Sequence, residues 1–168
     1  MTGQAEGAGR RNAVRVSAKA IIIQDNRLLT TRNVDREGEF YLLPGGGQEP
    51  GESLPAALQR ECREEIGVEV EVGELLFVRD YIGRNHEFAA LDADVHQVEL
   101  MFACTLPAGQ VPRPGTDPDA RQAGLWHQVG VEWLDLDRLE EYRLYPRALL
   151  RALRLPAHRR PIYLGDVS

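Results

Sequence analysis

The sequence predicts a mixed α/β domain with helices packed on a sheet. Residues 13–23 (AVRVSAKAIII) and 96–106 (HQVELMFACTL) alternate and run apolar as core strands do. Residues 53–66 carry an amphipathic helical pattern between a serine and a glycine, and residues 136–155 carry a second helical pattern. Strands with one early and one late helix, in that order, favour helices layered on a sheet. The 168 residues suit one domain with its own core, taken as residues 13–168 behind a loose N-terminal tail, residues 1–12 (MTGQAEGAGRRN).

The first strand enters the core at residues 21–23, Asp25-Asn26 marks a turn, and residues 27–32 (RLLTTR) return as a hairpin partner. Residues 40–43 form a short apolar run stopped by Pro44 and three glycines. The helix starts at Ser53 and ends at Gly67, a C-cap position. Residues 68–82 read as strand material broken at Gly73, and residues 83–95 as a long irregular loop. Residues 107–124 hold four prolines and three glycines, which makes them a second long loop. Residues 126–134 read as the last strand. Pro146 sits inside the second helical pattern, so that helix begins there, and Pro156 stops it.

The net charge of −6 argues against a general binder of nucleic acid or of a membrane surface, since both want a basic face. It leaves an anionic substrate open, because a bound metal reverses the local field. The two cysteines, Cys62 and Cys104, have no metal-type spacing. The chain opens on no charged-then-apolar leader and has no apolar run approaching a membrane span, so a reducing, cytoplasmic setting is expected.

The helix beginning at Ser53 carries Glu61, Glu64 and Glu65. Like charges three or four residues apart on a helix repel by a few tenths of a kcal/mol per pair. On a wheel of about 100° per residue with Leu54 at zero, Leu58, Cys62 and Ile66 fall at roughly 40°, 80° and 120°. Glu64, Glu61 and Glu65 fall at roughly 280°, 340° and 20°. The acidic arc therefore borders the buried stripe instead of lying opposite it, where a solvated charge run belongs. Carboxylates crowded at a core border beside the glycines Gly45, Gly46 and Gly47 suit a hard divalent cation such as Mg2+ and chemistry on phosphates.

The segment from Gly46 to Val68, GGQEPGESLPAALQRECREEIGV, resembles the Nudix box, G-x5-E-x7-R-E-U-x-E-E-x-G-U with U a bulky aliphatic residue. All seven fixed letters match, at Gly46, Glu52, Arg60, Glu61, Glu64, Glu65 and Gly67. The departure is Cys62 at the first U position, where a buried thiol acts as a small hydrophobe. The segments DYIGRNHEFAALDADVHQVELMF and YLGDV also resemble bacterial ADP-ribose pyrophosphatase-like members of that family. The resemblance implies a Nudix-type α/β/α sandwich with a mixed sheet between helices. It implies Mg2+-dependent hydrolysis, with Mn2+ as a substitute, of a diphosphate bond in a nucleoside diphosphate linked to another moiety, such as ADP-ribose or a nucleotide sugar. By position, Glu61, Glu64 and Glu65 would be metal ligands together with the Gly46 carbonyl. Arg60 and Glu52 would orient the ligating carboxylates through a salt bridge.

The general base stays open among Glu64, Glu65 and Glu99. Glu99 points away from the apolar side of its strand, either toward a metal or into a salt bridge. Arg32, Arg79 and Arg84 are candidate phosphate binders, and His86 and His96 flank the 83–95 segment within reach of a substrate. Tyr81, Phe88, Trp126 and Trp133 could stack on a base, although aromatics in strands are core by default. The expected partner is a small nucleotide-diphosphate substrate, with no nucleic acid and no membrane. A homodimer stays open, with the YLGDV tail as a segment able to reach a neighbour. Other readings on the same fold are a non-catalytic nucleotide sensor and a house-cleaning nucleoside triphosphate pyrophosphohydrolase. An isopentenyl diphosphate isomerase would want a cysteine facing its substrate and ranks below them.

Overall fold

The computed structural model describes residues 13–115 and 126–168. The tail expected at residues 1–12 lies outside the described residues, as does the expected 107–124 loop from residue 116 onward. The strands are β1 (Arg15–Gln24), β2 (Arg27–Asp35), β3 (Gly38–Leu42), β4 (Glu71–Ile82), β5 (His96–Thr105), β6 (His127–Asp135), β7 (Leu144–Tyr145) and β8 (Tyr163–Asp166). The α-helices are α1 (Leu54–Ile66), α2 (Ala89–Asp92) and α3 (Ala148–Arg154). Among the described residues no helix is long and apolar enough to cross a membrane.

Asp25 and Asn26 join β1 to β2 with positive φ angles of 50° and 58°. Two left-handed residues make a type I′ turn, whose twist matches that of its strands, and Asp and Asn tolerate the conformation well. The hairpin pairs only at Ile23↔Leu28 and Gln24↔Arg27 before the strands part. The edge of β2 then passes to β3, from Thr31↔Leu42 to Asp35↔Gly38, while β6 pairs with β2 off the main strand path. β1 runs parallel to β5 from Arg15↔Gln97 to Ile22↔Cys104. The full order is β7-β3-β2-β1-β5-β4-β8, a mixed sheet that is split where β1 and β2 separate.

Alternation along β1 sends side chains into two cores. Ala18, Ala20 and Ile22 join Leu58, Cys62 and Ile66 of α1, with Phe102 and Cys104 from β5. Ile21 joins Phe77, Met101, Leu134, Leu139, Leu144 and Leu149, which puts α3 on the other face. The sheet thus lies between helices, in the α/β/α arrangement. At its far edge, Arg143 grips Asp35 through two 2.8 Å hydrogen bonds and lies over the rings of Phe40 and Tyr145.

Four elements differ from their sequence expectation. Gly73 does not break β4; the strand runs through it, with register shifts between Val72 and Phe77 that the pairing with β5 absorbs. Residues 83–95 hold a 3-10 turn at Gly83–Asn85 and the short α2. β6 is not the last strand, since β7 and β8 follow it. The second helical pattern divides into a 3-10 segment at Leu136–Glu141 and α3, which starts two residues after Pro146. The tail segment that could have reached a neighbour is β8, paired in parallel with β4 of its own chain.

Asp166 ties the end of β8 to residues 82–86. Its carboxylate accepts from the Ile82 amide (3.0 Å) and from Asn85 (2.6 Å), and lies 2.6 Å from His86 Nε2. Burial works against the charge, but these hydrogen bonds outweigh it and hold the carboxyl at about 2. A carboxyl depressed on folding stabilises fully above its unfolded value, near 3.8, and loses that contribution as pH falls toward about 2. Hydrogen exchange at the Ile82 amide should therefore accelerate through that acid window. In Asp166→Asn the fast exchange should already be present at pH 5.

Candidate active site

The parting of β1 and β2 leaves one edge of β1 without a strand, and residues 44–48 fill it. Ala20 N donates to Pro44 O (2.8 Å), Ala18 N to Gly46 O (3.0 Å), and Gln48 N to Val16 O (2.9 Å). The chain passes so close to β1 that a Cβ on Gly45, whose φ is 125°, would collide with the Ala18 carbonyl oxygen. At Gly46 a Cβ would collide with the Glu61 carboxylate, so the missing side chain lets that carboxylate lie on the backbone.

α1 starts directly behind this loop. Ser53 caps it by accepting from Ala56 N at 3.3 Å, Pro55 sits in its first turn, and Gly67 ends it in the left-handed conformation. Leu58, Cys62 and Ile66 are fully buried, which turns the acidic arc toward the loop. Arg60 organises the arc. Its Nε and Nη2 bind Glu52 at 2.8 and 3.1 Å, its Nη1 reaches Glu61 at 2.7 Å and Glu64 at 3.4 Å, and Nη2 also donates to Gly47 O at 3.0 Å. The Arg60 hydrogen bond holds the Glu52 carboxyl at about 2. Glu61 shifts upward: burial raises it, Arg60 and Lys19 oppose that, and Glu64 adds to it. Glu65 accepts from Gly45 N at 2.7 Å. Glu64 is the more open carboxylate, with 44% of its side chain exposed.

These donors are all oxygens, three carboxylates and a backbone carbonyl, which fits a hard divalent cation. The half-buried Glu61 carboxylate, lying on the Gly46 backbone, favours a positive partner for the same reason that its pKa rises. Among the described residues no three His, Cys, Asp or Glu side chains are already gathered around one point. Arg60 instead shares the positive role, bonded to two of the three glutamates.

The other candidates separate by environment. Glu99 is 5% exposed, and its two oxygens bind Arg79 Nε (2.6 Å) and Gln97 Nε2 (2.7 Å). Burial opposes its charge, yet Arg79 and then Lys19 prevail and lower its pKa. Arg79 is buried too and donates also to Val167 O. Arg84 is exposed on the 3-10 turn. His86 stacks on Tyr81 with ring centroids 5.2 Å apart and meets Asp166. His96 lies 3.6 Å from Asp80. Arg32 packs over Gly130 and pairs with Glu39 at 3.2 Å, and its Nε has no hydrogen-bond partner among the described residues. Trp126 and Phe88 reach Phe40 and Tyr145 edge to face, and Trp133 packs against the α1 core.

Sequence reasoning missed three contributors. Lys19 donates to Gly45 O. Gly115 N and Gln128 Nε2 both cap Glu65 O, at 2.9 and 2.8 Å. The signal for Lys19 was a charge between the buried alanines Ala18 and Ala20; nothing local marked the other two.

The NUDIX domain model matches residues 13–153, and the chain belongs to the NUDIX family. Nucleoside triphosphatase NudI of Salmonella heidelberg (strain SL476) is 33% identical over 89 residues, 50% of this chain and 63% of that protein. The 8-oxo-dGDP phosphatase NUDT18 of Homo sapiens is 37% identical over 73 residues, 42% of this chain and 22% of that protein. The chain therefore spans less than two thirds of the length of either curated relative. A MutT NUDIX hydrolase from Burkholderia pseudomallei is similar in structure, with TM-score 0.57 and 28% identity over 74% of this chain and 85% of that one. An ADP-ribose pyrophosphatase from Streptococcus suis shares the fold, with TM-score 0.58 and 20% identity over 92% of this chain and 98% of that one.

Gly45→Ala should destabilise the protein by about 1–3 kcal/mol from backbone strain alone. Thermal denaturation against wild type measures it, and an unchanged midpoint would contradict the close packing of loop and strand.

Proposed function

We propose that this chain is a Mg2+-dependent hydrolase that cleaves a diphosphate bond in a nucleoside diphosphate derivative. The observation that carries the reading is Arg60, shared among Glu52, Glu61 and Glu64 beside the Gly46–Gly47 backbone. Glu61, Glu64, Glu65 and the Gly46 carbonyl would hold the ion, with Mn2+ able to substitute. A bound cation supplies Lewis acidity toward phosphate oxygens and raises the acidity of water.

The protein's own groups divide the remaining work. Glu52 fixes the Arg60 guanidinium in a two-point grip, and Arg60 in turn aims Glu61 and Glu64. Glu99 has both oxygens committed inside the protein, so the proton of an attacking water passes to a carboxylate oxygen of Glu64 or Glu65. Of the three candidate arginines, Arg84 and Arg32 keep donors for a phosphate, whereas Arg79 is committed to Glu99 and Val167. Both cysteines are buried, and burial pushes the Cys104 thiol up to about 11. That speaks against the isomerase reading, which needs a reactive thiol. A cytoplasmic setting and a small-molecule partner belong to the same proposal.

A second substrate reading is a nucleoside triphosphate, and the similarity to the nucleoside triphosphatase NudI favours it. A hydrolysis screen with Mg2+ over ADP-ribose, nucleotide sugars, dinucleoside polyphosphates and ordinary and oxidised nucleoside triphosphates separates the two. Turnover should stop in excess EDTA and return with Mg2+ or Mn2+; full activity in EDTA would refute the metal reading. Glu64→Gln and Glu65→Gln should each lower kcat by roughly 10²-fold or more, with the larger loss and an altered acid limb of the pH–rate profile marking the base. Near wild-type kcat in both variants would sink the assignment.

A further inference from the structure

Lys19 is a charged residue in the middle of β1. Its neighbours Ala18 and Ala20 face α1, so Lys19 points to the other side of the sheet with Ile21. It lies beside the edge that residues 44–48 cover, and its ammonium donates to the Gly45 carbonyl. Gly45 is thereby held at both polar groups, because its N–H donates to Glu65 at 2.7 Å. The next peptide carbonyl, Gly46 O, accepts from Ala18 N at 3.0 Å, on the strand that carries Lys19. Burial pushes the Glu61 carboxyl up and Lys19 counters it, and the same charge helps keep Glu99 ionised. One ammonium therefore acts on the loop backbone and on acids of two different elements.

We propose that Lys19 is a positioning residue: by fixing the Gly45 carbonyl it sets the Gly45–Gly46 peptide, and so the Gly46 carbonyl, for a divalent cation. This rests on the metal-dependent reading above. The two effects of the ammonium have opposite signs. As a bare charge among carboxylates it competes with a metal, and its removal would tighten metal binding. As the clamp of the peptide that precedes the ligating carbonyl, its removal loosens the Gly46 backbone and weakens metal binding. The geometry favours the clamp, because the ammonium is bonded to the Gly45 carbonyl itself.

The test is Mn2+ binding without substrate, read from the free-ion electron paramagnetic resonance signal, in wild type, Lys19→Met and Lys19→Arg. Thermal midpoints and kcat on the best substrate of the screen are measured alongside. Lys19→Met should bind Mn2+ at least tenfold more weakly and lose at least tenfold in kcat. Lys19→Arg, which keeps charge and donor, should stay within about threefold of wild type in affinity. Should Lys19→Met not fold, Lys19→Leu, which also lacks both charge and donor, gives the same reading. Unchanged or tighter Mn2+ binding in the neutral variant, beside normal binding by wild type, overturns the role of Lys19 alone. If wild type itself neither binds Mn2+ nor hydrolyses with Mg2+, the metal reading fails and this proposal falls with it.

Discussion

The pairing of residues 44–48 with the free edge of β1 is the constraint on which the site depends. A strand edge buried without partners leaves amides and carbonyls unsatisfied, at about 1–3 kcal/mol for each. β2 abandons that edge after Leu28, and the loop supplies the missing partners at Val16, Ala18 and Ala20. Glycines are needed where the loop meets the strand and where it meets Glu61. The same backbone that completes the sheet is thereby presented to the acidic face of α1. Sheet closure and site construction are one set of hydrogen bonds.

Charge is distributed around that backbone from both sides. Arg60 approaches from the helix and binds Glu52, Glu61 and Glu64, while Lys19 approaches from the strand and binds the loop carbonyl. Three glutamates on a single turn and a half of helix would weaken it if left bare. With two cations beside them the carboxylates stay near one another in a folded protein. The Arg79–Glu99 pair adds a third balanced unit on the sheet, closed by Gln97 and by the Val167 carbonyl of the C-terminal segment.

What the sequence made legible was local. Ser53 as cap, Gly67 as terminator and the stripe through Leu58, Cys62 and Ile66 depend on residues within a few turns of one another, and each is found as expected. The Asp25-Asn26 turn is legible for the same reason. Gly73 misled because continuity of β4 is decided by β5, whose register takes up the irregularity. β8 escaped notice because four residues with a glycine among them carry no period; its strand character comes from β4 and from Asp166. The partner of Lys19 lies 26 positions away and that of Glu99 lies 20 away. No window of sequence contains both ends of either contact, so the identity of the box was readable while its supports were not.

The parallel pairing of β1 with β5 carries a kinetic meaning. Ser17 and Gln97, joined at 3.1 Å, stand 80 positions apart in the chain. Contacts of such long range form only after a large loop has been closed, which slows folding relative to helical domains of similar size. The edge on which the glycine loop settles belongs to the strand whose other side must first find that remote partner. The glycine-loop backbone therefore has no independent existence in a partly folded chain, and its geometry should appear in the same cooperative step as the central sheet.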